Sequence, residues 1–187
     1  ESMQPNQEPE HNAAKVALKS RRKAERARDL LLETAQTLGI ITATPYVTED
    51  NVPAINIAPG QSPFVRQDGY FYCFASELAA HVRALLSQAD VRFQLIEDEQ
   101  SAQNIWARIR LTFLADVKEI TRDSSQFDEI CAAIDKRHGP VMSVIKPFTD
   151  FHLFEITPIS GILVTGFASA YDVKGPGFEL EDHLTSS

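Results

Sequence analysis

The segment Arg108-Ile109-Arg110-Leu111-Thr112-Phe113-Leu114-Ala115-Asp116-Val117 decides the fold class. Every second residue from Ile109 to Val117 is apolar, whereas the two arginines and Thr112 point to the other side. A period of two is typical of a β-strand that has one face against a core. We therefore take this segment as the reference strand and compare the rest of the chain with it.

Several other segments have strand character and are separated by turn residues or short helices. They are Ile40–Thr44, Ala54–Ala58, Tyr70–Phe74, Val91–Ile96, Phe151–Ile156, Gly161–Val164 and Phe167–Val173. The first two are predicted to form a hairpin, followed by a proline-bearing loop over 59–63. Short helices are predicted after Ser76 as an N-cap, from the acidic run at 97–99, and over 124–138.

Six or more strands joined by short helices do not suit a doubly wound sheet, which needs a long crossover helix at each parallel step. The pattern predicts a mainly β fold, a mostly antiparallel barrel with short helices at its ends. Small barrels fill their interior with side chains. We therefore expect a large ligand to bind outside the barrel, in a cleft or between two subunits.

The composition indicates one globular domain. The chain has 187 residues, of which 43% are hydrophobic and 24% charged. No apolar run approaches the roughly 18 residues that a membrane span needs, so we predict no membrane segment. The two cysteines, Cys73 and Cys131, are too few for a disulfide framework, and no apolar secretion signal is visible in the N-terminal residues. We expect a reducing, cytoplasmic environment.

The charge is unevenly distributed. The net charge is −8, yet seven basic residues and one acid lie between Lys15 and Arg28, which leaves 11 basic and 25 acidic residues elsewhere. An acidic chain argues against nucleic-acid binding. We interpret the basic segment as a solvated helix face that covers an edge of the fold, with a polyanion-binding arm as the alternative. The predicted division is a disordered N-terminus over 1–12, a basic helix over 13–38, the barrel domain over 39–175 and a flexible tail over 176–187.

The common signatures of nucleotide, metal and hydrolase sites are absent, including GxGxxG, the P-loop, HExxH and GxSxG. One candidate anion site is the predicted helix that contains Ser76, His81 and Arg83. A capped helix start with a histidine and an arginine can hold a phosphate or a carboxylate. The alternative is a boundary histidine and a solvent-exposed arginine.

The remaining candidates are arginines and histidines in strands and in the tail. Arg108 and Arg110 are predicted to stand side by side on one strand face, either around an anionic ligand or in an ion network with the acids at 97–99. His152 is predicted to face the core. His183 lies in the predicted tail, from which it can reach a flat cofactor as an axial ligand.

Four blocks of sequence resemble the HugZ/HutZ-type heme utilisation proteins of the pyridoxamine-phosphate-oxidase-like split-barrel superfamily. The blocks are Gly69-Tyr70-Phe71 with the Ser76–Arg83 segment, Glu97-Asp98-Glu99 through Phe113, Asp150-Phe151-His152-Leu153-Phe154, and Gly166-Phe167 with Ala170-Tyr171-Asp172-Val173. They occur in the family's order and span roughly residues 38–173.

The resemblance implies a six-stranded split barrel that forms a homodimer and binds heme near the dimer interface, where it is cleaved with electrons from an external donor. Carried over by position, Asp150 polarises the proximal side, Arg110 lies near heme and His183 is the axial ligand, with Arg108 a further contact. Relatives in the wider superfamily bind FMN, for which Ser76, His81 and Arg83 are the candidate phosphate ligands. A third possibility is a binding or storage module without turnover.

Overall fold

The computed structural model describes residues 7–166 and 169–185 and contains eight strands and four α-helices in that part of the chain. The elements are α1 (Gln7–Thr34), β1 (Thr37–Val47), β2 (Pro53–Gln67), β3 (Tyr70–Ser76), α2 (Ala80–Leu86), β4 (Asp90–Ile96), a 3-10 helix (Ile105–Ala107), β5 (Arg110–Ile120), α3 (Ser125–His138), α4 (Val141–Ile145), β6 (Phe151–Gly166), β7 (Ser169–Lys174) and β8 (Glu179–Thr185).

All strands belong to one antiparallel sheet of order β3-β2-β1-β4-β5-β6-β7-β8, and an additional β3–β6 pairing closes it. The mainly β prediction is confirmed, but the expected count of six strands is wrong. Six strands close through the β3–β6 pairing, and β7 and β8 extend the sheet beyond β6. One edge of β6 pairs with β3 over its first residues, Phe151–Ile156, and with β7 over its last, Ser160–Gly166.

Two apolar cores lie on the two sides of this sheet. The barrel interior is filled by phenylalanines that contact one another, among them Phe71, Phe113 and Phe178, and the helix residues Ala24 and Leu31 also belong to it. The second core lies between the sheet and α3. It contains the predicted helix residues Phe127, Ile130, Cys131 and Ile134, all buried. The interior therefore has no room for a large ligand.

Two predicted connections differ from the structure. The expected loop over 59–63 is part of β2, because Gly60, Gln61 and their neighbours pair with β1 from Thr37 to Ile41. Prolines fit there because the free edge of β2 needs no backbone donor at those positions. The acidic run at 97–99 leads into a turn rather than a helix, and only Ile105–Ala107 form a short 3-10 turn. The observed β5 consequently begins at Arg110 and not at Arg108.

The basic helix is real but its bounds are shifted. It runs from Gln7 to Thr34 in the described chain, whereas residues 13–38 were predicted. The chain leaves the helix early because Thr37 already pairs with Pro63 in the sheet. Gly39, the residue after the predicted end of the helix, lies in β1, where an added Cβ would sit 3.3 Å from the carbonyl oxygen of Gln94.

The predicted flexible tail contains a strand. Residues 175–178 form a turn that starts at Gly175 with φ of 70°, and Glu179–Thr185 then pair with β7. Phe178 holds this hairpin in place, since its side chain is fully buried between the rings of Phe71 and Phe113. Burial of an aromatic ring outweighs the loop character of the surrounding Gly-Pro-Gly sequence. Of the predicted strand over 167–173, residues 167 and 168 lie outside the described residues.

None of the helices in the described ranges is long and apolar enough to cross a bilayer.

Gly161 lies where β5 and β6 pack tightly, so a substitution at this position tests that packing. A Cβ at this position would lie 2.3 Å from the carbonyl oxygen of Thr112 and 2.7 Å from the Cβ of Phe113, both held in the barrel wall. We expect Gly161→Ala to lower the free energy of unfolding by about 2 to 3 kcal/mol in urea denaturation, because the backbone has to shift. Gly177→Ala is the control: its added Cβ meets no atom nearer than 3.9 Å, and equal losses in both variants would contradict the packing argument.

Candidate functional site

Asp150 is fixed at the start of β6 by the end of β3. The hydroxyl of Ser76 donates to Oδ2 of Asp150 at 2.5 Å, and the backbone N–H of Glu77 donates to the carbonyl of Asp150 at 2.8 Å. The pairing of Ser76 with Phe151 in the sheet brings these residues together. Two predicted site residues that were assigned to different ligands, Ser76 to a phosphate and Asp150 to the heme side, therefore contact each other.

His152 lies two residues further along and is held between two carboxylates. Its Nδ1 is 2.9 Å from Oε2 of Glu119 on β5, and its Nε2 is 3.1 Å from Oε2 of Glu77 in the loop before α2. The imidazole side chain is 19% exposed and shares its strand face with Phe154, as the alternation predicted. A histidine can donate from both nitrogens only when it is protonated. The cluster thus favours the imidazolium form.

Burial and the two carboxylates change the pKa of His152 in opposite directions. Partial burial by itself lowers the pKa, but the hydrogen bonds and negative charges of Glu119 and Glu77 outweigh burial and raise the pKa of His152 above its usual 6.5. The three side chains link the end of β5, the start of β6 and the loop after β3, so they hold the segment that carries Asp150.

The residues predicted to hold an FMN phosphate do not converge. α2 begins at Ala80 with Ala79 as its N-cap, so the expectation that Ser76 caps this helix is wrong. Arg83 donates from Nη1 to the backbone carbonyls of Glu77 at 2.7 Å and Leu78 at 2.9 Å. It therefore closes the loop before its own helix.

His81 is a core residue and not a boundary one. It is 9% exposed, and its ring packs so closely on the backbone of Gly60 that a Cβ there would lie 2.2 Å from two ring atoms. Burial lowers the pKa of His81, which favours the neutral ring. Its Nε2 has no hydrogen-bond partner among the described residues.

The two arginines of the reference segment are not a side-by-side pair on one strand face. Arg108 precedes β5, and its Nε and Nη2 donate to the backbone carbonyl of Glu97 at 2.8 and 2.6 Å. This contact closes the connection between β4 and β5 without using a carboxylate. Arg110 is the first residue of β5 and pairs with Ile96 and Val164.

His183 is held in β8 rather than in a loose tail. Its ring stacks on Tyr171 with the centroids 4.4 Å apart, and its Nε2 is 3.4 Å from the hydroxyl of Ser169. Tyr171 is buried, and its hydroxyl lies 3.0 Å from that of Ser20 on α1. Because the imidazole is exposed and makes only this long hydrogen bond among the described residues, a ring nitrogen is accessible to a ligand.

One chain does not bring the three predicted heme residues together. Sheet register places His183 in a row with Tyr171, Leu163 and Leu111, whereas Arg110 lies in the adjacent row with Val164. Adjacent rows point to opposite faces of a sheet. Leu163 lies 12 residues after Phe151, which is about 40 Å of extended strand. Asp150 and His183 therefore belong to opposite ends of β6.

Two cavities flank this part of the sheet. The first, of about 560 Å³, lies between the second half of α1 and the β4–β5 connection and includes Arg108. The second is a groove of about 440 Å³ on the outer side of β4 to β7 and includes Arg92, Leu114, Ile162 and Asp172. The described chain contains no cluster of three or more histidine, cysteine or acidic residues placed to hold a metal ion.

Comparisons with known proteins bear on these candidates. No family model matches the chain. The chain is 38% identical over 115 residues to heme oxygenase HutZ of Vibrio cholerae, in an alignment that covers 61% of this chain and 65% of the relative. The chain thus spans just under two thirds of that protein. The crystal structure of V. cholerae HutZ, described as a heme storage protein, matches with a TM-score of 0.58 and 29% identity over 74% of this chain and 91% of that one. The resemblance to the HugZ/HutZ-type proteins is confirmed.

Two further solved structures support the fold alone. ChuZ of Campylobacter jejuni has a TM-score of 0.64 at 21% identity, in a match that covers 87% of this chain and 67% of ChuZ. A pyridoxinephosphate oxidase family protein of Clostridium acetobutylicum has a TM-score of 0.52 at 11% identity, with 80% and 93% covered. The predicted pyridoxamine-phosphate-oxidase-like fold is confirmed.

Sequence reasoning missed Glu77 and Glu119 as partners of His152. They are separated from it by 75 and 33 residues along the chain. The only local signal was a histidine at the start of a strand directly after Asp150. Strand register, which the sequence does not state, brings the three side chains together.

The pH dependence of stability tests the His152 cluster. The unfolded pKa is about 6.5 and the folded pKa is higher, so the stabilisation is complete below about pH 6.5 and is lost as the pH rises through the folded value. We expect the difference in unfolding free energy between the wild type and His152→Gln to be largest near pH 6 and to shrink at higher pH in urea denaturation. Glu119→Gln should weaken this dependence, and a pH-independent difference would refute the assignment.

Proposed function

We propose that this protein binds heme and serves in heme iron utilisation, with oxidative heme degradation as its reaction. The observation that carries the proposal is the 38% identity to HutZ, together with the match to the HutZ crystal structure. HutZ is named a heme oxygenase in one case and a heme storage protein in the other, and heme is common to both names.

The side chains present fit heme as a substrate. His183 offers an exposed imidazole, which is a common axial ligand of heme iron. Arg110 is half-buried and makes no ion pair among the described residues, so its guanidinium is free for an anionic propionate. Bound heme itself activates oxygen and is consumed, with electrons supplied by an external donor.

The roles of the chain's own groups follow from this assignment. The imidazole of His183 would hold the heme iron through one ring nitrogen and donate its other N–H. Asp150 is the proposed acceptor of that proton, which fixes the tautomer and raises the basicity of the ligand. The Ser76 hydroxyl occupies one oxygen of Asp150 and leaves the other for this contact.

Asp150 and His183 lie at opposite ends of β6, so the proposed contact joins two copies of the chain. We place heme between the subunits of a homodimer, with His183 from one copy and Asp150 from the second. The buried, unpaired thiols of Cys73 and Cys131 favour the cytoplasm as the compartment.

Two alternatives have less support. An FMN-dependent oxidoreductase would need Ser76, His81 and Arg83 to converge on a phosphate, and each of them instead contacts the protein backbone or Asp150. Heme storage without turnover uses the same pocket and agrees with the description of the HutZ structure. Formation of a bile pigment from hemin under ascorbate and oxygen separates degradation from storage.

Hemin titration followed by absorption spectroscopy tests the ligand. We expect the purified protein to develop a Soret band with hemin and no flavin spectrum with FMN. His183→Ala should raise the hemin dissociation constant at least tenfold, and Asp150→Asn should raise it about 10- to 100-fold, the usual effect of losing an outer-shell partner. His11→Ala, which removes an exposed histidine on α1, is the matched control. An unchanged spectrum in His183→Ala would eliminate this residue as the ligand.

A further inference from the structure

β8 carries the proposed heme ligand on an edge of the sheet. It is the last strand in the sheet order and, among the described residues, pairs with β7 alone. A strand that pairs on one side only opens locally more easily than a central strand. An axial ligand, by contrast, has to be held in one orientation to bind heme iron well. His183 therefore needs support from outside the β7–β8 ladder.

A β-bulge interrupts this ladder just before His183. Val173 pairs with Leu180, but Tyr171 pairs with His183, which is one residue further along β8 than a regular antiparallel ladder would reach. Residues 181 and 182 of β8 thus lie opposite a single residue of β7. A bulge of this kind re-aims the side chains that follow it. The register at His183 depends on it.

The bulge also decides on which face of the sheet His183 lies. In a regular ladder, Tyr171 would pair with Asp182 and Ala170 with His183. A slip of one residue moves a side chain to the opposite face, so His183 would then leave the face of Tyr171. With the bulge, the imidazole stacks on the buried Tyr171 ring, with the centroids 4.4 Å apart and the planes inclined by 18°. The proposed ligand is in place only while the bulge is kept.

Arg21 of α1 holds the bulge from outside the sheet. Its Nη1 donates to the backbone carbonyl of Glu181 at 3.1 Å, and its Nη2 donates to the carbonyl of Leu180. These two carbonyls belong to the bulge and to the residue before it, where the ladder is interrupted. A guanidinium presents its donors in a fixed fork and therefore suits two neighbouring carbonyl oxygens.

Two further contacts attach the same part of α1 to this region. The hydroxyl of Ser20 lies 3.0 Å from that of Tyr171, and Nη1 of Arg28 donates to the carbonyl of Phe178 at 3.1 Å. Ser20 thus contacts the residue on which the imidazole stacks, and Arg28 contacts the turn before β8. Arg21 supplies the link from α1 to the bulge itself.

We propose that Arg21 is a positioning residue for heme binding. Its hydrogen bonds to the carbonyls of Leu180 and Glu181 stabilise the bulge in β8 and thereby keep His183 on the ring of Tyr171. This inference deepens the proposed function and rests on it, since it takes His183 as the heme ligand. It also gives a residue of the basic helix a task other than attracting an anion, because Arg21 acts through directed hydrogen bonds to the backbone.

Hemin titration of the full chain, followed by absorption spectroscopy, tests this role. Arg21→Met keeps a long side chain with good helix propensity but loses both donors. We expect it to raise the hemin dissociation constant about tenfold, the lower end of the usual effect of losing a residue that orients a metal ligand. Its Soret band should shift toward that of His183→Ala. Arg21→Lys retains a donor for a carbonyl and should keep most of the affinity.

Arg22→Met is the matched control. Arg22 is the next residue of α1, is exposed, and makes no hydrogen bond or salt bridge with the residues that the structure describes. We expect this variant to bind hemin like the wild type. An Arg21→Met variant that binds hemin as tightly as Arg22→Met would overturn the proposal.

Deletion of Asp182 distinguishes positioning from a general loss of structure. It removes the extra residue of β8, so that a regular ladder pairs Tyr171 with His183 and no bulge has to be held. We expect the deletion by itself to keep the hemin affinity of the wild type, and in the Arg21→Met background to restore most of it. Circular dichroism establishes that each variant is folded. A folded double variant that binds as weakly as Arg21→Met would reject the role of the bulge.

Histidine NMR of the protein without heme separates this inference from the heme assignment. Stacking on an aromatic ring moves the Cε1–H resonance of His183 upfield, and its absence from the spectrum of His183→Ala identifies it. We expect Arg21→Met to lose the upfield shift and Arg22→Met to keep it. That result without a Soret band would reject heme binding and retain the positioning role. A Soret band with the upfield shift preserved in Arg21→Met would reject the positioning role and retain heme.

Discussion

The architecture depends on the way in which β6 changes partners along one of its edges. Its first residues pair with β3 and close the six-stranded ring, and its last residues pair with β7. A strand of 16 residues is long enough to pair with two strands in succession along that edge. Closure of the ring satisfies the backbone groups of β3, which would otherwise be an open edge. The same change of partner directs β7 and β8 away from the ring, where Phe178 returns to fill the core.

The two pairings of β6 determine where the candidate heme-binding residues lie. The start of β6 positions Asp150 beside Ser76 and places His152 between Glu77 and Glu119. The end of β6 positions Tyr171 and, through it, His183. A register shift in the β7–β8 pairing lets Val173 pair with Leu180 and Tyr171 with His183, so that the imidazole lies on the face of Tyr171. Under the proposed function, the two parts of the heme site belong to separate ends of one chain, and a complete site calls for two chains.

The arginines show how an acidic chain distributes positive charge. Several of them donate to backbone carbonyls and thereby secure loops and helix contacts. Arg21 and Arg28 attach α1 to the β8 hairpin, Arg108 closes the β4–β5 connection, and Arg122 binds three carbonyls between Lys146 and Phe151. Among the described arginines outside α1, Arg92 and Arg110 are the two without such contacts. Arg110 is the proposed propionate partner, and Arg92 lines the groove on the outer side of β4 to β7.

Alternation in the segment around Leu111, the hairpin over 40–58 and the amphipathic helix over 124–138 were all readable from the sequence, because each depends on a local periodicity of side chains. The ordered blocks of sequence also sufficed to indicate the HugZ/HutZ resemblance. Only the tertiary structure decided that β8 is a strand, that His81 packs on Gly60, that Arg83 and Arg108 bind carbonyls, and that His183 and Arg110 lie on opposite faces of the sheet. Those outcomes depend on strand register and on contacts between residues far apart in the chain. A register shift of one residue moves a side chain to the opposite face of the sheet. The local sequence of a strand does not specify its register.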